Sequence, residues 1–163
     1  MVSWKADPYL WWVFRLFVCK TGSPAKLVQH SPARSDLFAT HVNALETCPV
    51  SGSRIRKMKY VKCRFNSTAV PLQRSMLFFE ATWRFCIDVV ASRAGSDPAK
   101  DAGQFLTSLT EEAVVQAAMM AEGADEHLLV RRFFDKEGWD ATSVGSELHN
   151  FLSRPEHVFI AQP

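Results

Sequence analysis

Apolar residues recur at helical steps of three and four along four stretches of this chain. Asp7-Pro8 can open the first, with the carboxylate as cap and the proline at the first helical position. The run from Tyr9 to Cys19 follows, and Thr21-Gly22-Ser23-Pro24 is a stop. Ser31-Pro32 opens a second helix with Leu37, Phe38, His41, Val42 and Leu45 as its apolar stripe, broken by Cys48-Pro49 through Ser53. The best-defined element starts at Pro71. There Leu72, Met76, Phe79, Trp83, Cys86 or Ile87, and Val90 predict one buried stripe, with Glu80–Arg84 and Arg84–Asp88 as i,i+4 pairs on another face. A fourth helix begins at the capping-box pattern Ser108-Leu109-Thr110-Glu111, and Glu111-Glu112 favour its positive end. It runs at least to Glu122. Gly123 ends or weakens it, and helical spacing resumes from His127 to Phe134.

Other segments read differently. From Arg54 to Phe65 basic and apolar residues alternate, which predicts a strand or two short ones with a bulge at Tyr60-Val61. Arg93 to Lys100 has the composition of a loop. The expected fold is therefore all-α: a four-helix bundle with a small β element between helices two and three. Residues 1–140 would form the bundle and 141–163 an exposed tail.

Charge and chemistry narrow the functional classes. The net charge of +2 is small for a free-standing nucleic-acid module, so any RNA contact neutralises only a few phosphates per chain. Cys19, Cys48, Cys63 and Cys86 form no CxxC pair and no zinc spacing, and read as reduced thiols of a cytosolic protein. The apolar run at Tyr9–Cys19 contains Arg15 and falls far short of the roughly 20 residues of a membrane span. Five histidines, at 30, 41, 127, 149 and 157, are scattered, and phosphate loops and dinucleotide fingerprints are missing. No enzymatic activity, cofactor or metal is expected. The run Arg54–Arg64 holds six Lys or Arg and no acid. It reads equally as a nucleic-acid patch or as the solvated face of an edge strand.

Several segments, in order, resemble the coat proteins of tobamoviruses and tobraviruses, the rod-shaped plant RNA viruses of the virgavirus family. Ala33-Arg34-Ser35 is similar to the family's Ala-Arg-Thr at the second helix, and Val61-Lys62-Cys63-Arg64-Phe65 to its short strand ending in Arg-Phe. Glu111-Glu112-Ala113-Val114 resembles the start of its fourth helix. Arg131-Arg132-Phe133-Phe134 with Gly138-Trp139 resembles its closing signature.

The resemblance implies a capsid subunit that forms a helical homopolymer around single-stranded RNA, found in the virion and the host cytoplasm. Arg34 and Arg93 would contact RNA, and Asp88, Glu111 and Glu112 would line the RNA site. The basic run at 54–64 would then lie at the outer radius. Glu46 would serve an inter-subunit carboxylate switch, although Val70-Pro71-Leu72 stands where the family has Asp-Pro-Leu, which removes one partner of that switch. The rival expectation is an accessory structural subunit of an organellar, mitochondrial multiprotein complex. Against it, the N-terminus lacks an Arg- and Ser-rich presequence.

Overall fold

Asp7 starts the first helix by the expected device. Its Oδ1 accepts the backbone N–H of Tyr9 at 2.8 Å and of Leu10 at 3.0 Å, and Pro8 takes the first helical position. The computed structural model describes residues 6–45, 65–92 and 94–134, together with 145, 146, 149, 150 and 153. Within them the chain is helical, without strands. Helix α1 (Pro8–Phe14) continues into a wider π-helical turn over Arg15–Cys19, where the N–H of Lys20 reaches back five residues to Arg15.

After that turn come α2 (Pro24–Gln29), α3 (Pro32–Asn43), α4 (Phe65–Leu77), α5 (Phe79–Ser92), α6 (Asp97–Ser108) and α7 (Glu111–Phe134). All-α is the observed class. The β element expected between helices two and three lies, apart from Phe65, outside the described residues, as does nearly all of the tail from Ala141.

Four expectations are corrected. Ser23-Pro24 is a start as well as a stop: the Ser23 hydroxyl caps α2 by accepting the N–H of Lys26, with Pro24 in the first turn. Ser96 does the same for α6 through Ala99, so the segment read as loop up to Lys100 is already helical from Asp97. Pro71 does not open a helix but sits inside α4, where it removes one backbone donor. At the start of α7 the cap is the Thr110 hydroxyl, which accepts the N–H of Ala113 at 3.1 Å, and Ser108 instead ends α6. Gly123 leaves α7 unbroken.

The core gathers residues from all of these helices. Phe14, Phe17, Phe38, Phe78, Phe85 and Leu72 are the largest fully buried side chains among the described residues. Edge-to-face ring pairs link distant elements. Phe38 of α3 meets Phe85 of α5 at 5.8 Å, and Phe17 meets Phe105 of α6 at 5.5 Å.

Between α4 and α5 the helical hydrogen bonds run on through Phe78, whose N–H donates to Arg74 and whose carbonyl accepts from Thr82, and the buried stripe Leu72, Ser75, Phe78, Thr82, Phe85 and Val89 keeps one phase throughout. Leu72 and Cys86 are buried as expected. In α5, however, the inward residues are Ala81, Thr82, Phe85, Cys86 and Val89, which leaves Trp83 46% and Ile87 39% exposed. The buried face of α7 is a row of small residues, Ala113, Ala117, Ala121 and Ala124 with Met120, on a helix packed chiefly against α4. The side chains of Gln73 and Asp125 tie those two helices at 3.1 Å.

Candidate functional site

Helix α2 ends at His30, and α3 begins two residues later. This places Lys26, His30 and Arg34 at four-residue steps across a sharp turn. The Arg34 Nε–H donates to the backbone carbonyl of Leu27 at 2.8 Å, one of the carbonyls that the end of α2 leaves without a helical partner. Arg34 thus has a structural task, closing α2 onto α3, and the bond uses one of the guanidinium's five N–H donors.

These three basic residues form one wall of an open pocket of about 350 Å³. The start of α6 contributes Pro98, Asp101 and the edge of Asp97, whose side chain is 96% exposed and lies 3.8 Å from the Lys100 ammonium, and Cys19, Thr21, Gly22 and Leu27 complete the lining. Gly22 has φ +84°, and a side chain there would lie 2.6 Å from Cβ of Asp101. The bare glycine is what lets α6 come this close.

Asp88 and the acidic pair lie elsewhere on the chain. The Asp88 carboxylate approaches His41 Nε2 at 2.9 Å without an aligned hydrogen bond, joining α5 to the far end of α3. That contact is seven residues, roughly 10 Å of helix, from Arg34. The expected Arg84–Asp88 pair is thus replaced by one with His41, whereas Glu80–Arg84 forms.

Glu111 and Glu112 are exposed at the start of α7. Glu112 faces Tyr9 of α1. Burial of the ring first, and then the charge and hydrogen bond of Glu112, hold the Tyr9 phenol above its ordinary pKa. Tyr9 is ten residues from Cys19, roughly 15 Å along the first helix, so the acidic pair and the Arg34 pocket stand at opposite ends of it. Arg93 and Glu46 lie outside the described residues. Within this chain, therefore, Arg34, Asp88 and the acidic pair do not share a site.

Lys26, His30, Asp97 and Asp101 were not singled out from the sequence. The four-residue recurrence of 26, 30 and 34 was the available signal, hidden because Ser31-Pro32 was read only as a boundary.

Two further surface features are apolar. Val115 and Met119 stand i,i+4 on α7, 54% and 44% exposed, and Glu112 continues their row towards Tyr9, which stacks on the exposed Trp12 at 5.7 Å. Trp83 and Ile87 form a second exposed pair on α5. Cys86 behind them is inert, since burial pushes its thiol pKa up to about 12. Among the described residues no helix is long and apolar enough to cross a membrane, and no cluster of His, Cys, Asp or Glu could hold a metal ion. No known protein family, no curated protein and no solved structure matches this chain.

Proposed function

We propose that this chain is a structural subunit that polymerises into a helical rod around single-stranded RNA and catalyses no reaction. The observation that carries this reading is the pair of exposed apolar strips on different helices, Tyr9 and Trp12 with Val115 and Met119, and Trp83 with Ile87. A helical homopolymer joins copies head to tail, so each subunit needs two different, mutually complementary surfaces. Large exposed apolar side chains in rows are what such contacts bury. The ordered resemblance of the Arg34, Phe65, Glu111 and Arg131 segments to rod-virus coat proteins supports the same reading and supplies the RNA.

In that arrangement Arg34 and Arg93 contact phosphates without reading sequence. Asp88, Glu111 and Glu112 line the RNA groove, and Glu46 belongs to a carboxylate contact between subunits. A groove formed between stacked copies draws its residues from different faces of neighbouring subunits. The separation of Arg34 from the acidic pair within one copy is compatible with it.

The test is negative-stain electron microscopy of the purified protein, with and without single-stranded RNA, from mildly acidic to mildly alkaline pH. Disks or rods that lengthen with RNA are expected, and Trp83→Glu with Ile87→Glu should stop their growth. Featureless monomers under every condition would overturn the rod and favour the accessory subunit of an organellar assembly.

A second expectation concerns the arginines. Arg34→Ala with Arg93→Ala should lower RNA packaging by roughly tenfold or more while sparing RNA-free disks. Normal packaging by that variant, and its loss in an Arg56, Lys59 and Lys62 variant, would move the RNA site to the basic run.

A further inference from the structure

Helices α4 and α5 join at Phe78 without losing their hydrogen bonds, so the two share their faces. One face, through Leu72, Phe78, Phe85 and Val89, is buried in the core. At about 100° per residue, the face opposite carries Leu77, Glu80, Arg84 and Ile87. All four are exposed. Leu77 is 53% and Ile87 39% exposed, and the side chains of Glu80 and Arg84, paired with each other, are 57% and 50% exposed.

The row reads apolar, acid, base, apolar, at steps of three, four and three, so it is symmetric about position 82 apart from the sign of its charges. Laid antiparallel on a second copy about that position, it sets Leu77 against Ile87 of the second copy and Glu80 against Arg84 of the second copy. A parallel alignment would instead set acid on acid and base on base. We propose that this face pairs with the same face of a second copy, as an antiparallel two-fold helix pair closed by reciprocal Glu80–Arg84 contacts.

The guanidinium has five N–H donors, so Arg84 can hold its own Glu80 and receive that of the second copy. Four charges then alternate around the two-fold axis. Trp83, 46% exposed, flanks the row one position from its centre. The axis brings both indoles to one edge of the pair, where they keep water from the charges. Exposed ion pairs contribute little attraction singly. Here they fix direction and register, and the apolar residues supply the attraction. The seam covers roughly 15 Å of helix, so the dimer is a weak one, half dissociated at about 10–100 μM.

The pair does not rest on the rod reading, because a two-fold contact closes at two copies and propagates nothing. One consequence does rest on it. In a rod the Trp83 and Ile87 strip meets a different surface of the next copy, so pairing occupies a face that growth needs and holds free protein in reserve.

The experiment is sedimentation equilibrium of the full chain without RNA, from about 1 μM to about 1 mM. The unaltered chain should pass from monomer to dimer. Glu80→Arg and Arg84→Glu each set like charges face to face, and each should weaken the dimer roughly tenfold or more. Mixed in equal amounts, these two variants regain opposite charges at both contacts and should form a heterodimer about as tight as the unaltered dimer. Glu80→Arg/Arg84→Glu, which keeps an ion pair within the helix, should dimerise with itself and not with the unaltered chain.

The pair is overturned by monomers at every concentration, by single variants that dimerise as tightly as the unaltered chain, or by a mixture of them that stays monomeric. Rods that grow on RNA beside any of those results would leave the rod reading standing alone. The heterodimer, without rods under any condition, would remove the rod and keep the pair.

Discussion

Phe85→Ala is expected to lower the free energy of unfolding by about 3–5 kcal/mol, the range for removing a fully buried aromatic ring. Phe85 is completely buried and stands edge-on to Phe38, also completely buried, across the contact between α5 and α3. The loss has two sources. The ring's apolar surface no longer leaves water on folding, and the cavity left between two helices collapses only in part. A stable chain of this size has of order 5–15 kcal/mol in all, so the midpoint of urea unfolding should fall by a large fraction. The ring pair itself is worth about 0.5–1.5 kcal/mol, measurable as the coupling in a cycle with Phe38→Ala. A loss below about 1 kcal/mol would mean that α5 does not pack on α3 through this face.

Gly22→Ala is expected to cost about 2–5 kcal/mol through two separable effects. A backbone at φ +84° is unfavourable for any residue with a side chain, and the new methyl would sit 2.6 Å from Cβ and 2.7 Å from Cγ of Asp101. The contact is with the root of the aspartate, so rotation of its carboxylate does not relieve it. Asp101→Ala keeps that Cβ and should not rescue the variant. Asp101→Gly removes it and should restore the steric part only, once its own cost of about 1 kcal/mol as a helix glycine is measured separately. Equal rescue by both substitutions would show that the close approach of α6 to Gly22 is wrong. The same variants report on the pocket, because Gly22 and Asp101 both line it.

The helices that the sequence revealed are those whose inward faces carry large residues or whose ends carry unmistakable caps. Asp7-Pro8 and Ser31-Pro32 each opened a helix as read. Helix α6 was missed because Ser96-Asp97-Pro98 has turn composition, and because Ala99 and Ala102 do half the packing beside Phe105. A serine before proline both ends one segment and begins the next, and only the residues that follow decide between them.

The phase of α5 was misread for a different reason. The buried row Leu72, Ser75, Phe78, Thr82, Phe85 and Val89 contains a serine and a threonine, so a count in threes and fours falls on the neighbouring, more apolar row through Met76, Phe79, Trp83 and Ile87, whose members are half-buried or exposed. In the candidate site, Arg34 was legible by resemblance alone. Its partners come from α2 and α6, two helices the reading lacked, so a pocket between them could not be anticipated. The acidic pair was correctly placed at the start of a helix, but what it faces there, Tyr9 of α1, is a tertiary contact that no spacing along the chain encodes.

The alanine row of α7 bears on how such a protein can change over generations. A single-base change converts an alanine codon to a valine codon, so this is among the easiest drifts available to these four positions. On most buried faces valine for alanine is a mild exchange. Against α4, where Ala113, Ala117, Ala121 and Ala124 are all but completely covered, two extra carbons meet packed neighbours and cost about 1–3 kcal/mol each. Here smallness is what selection must preserve, and a lineage of this protein would hold these alanines fixed while the exposed Val115 and Met119 answer to whatever they touch.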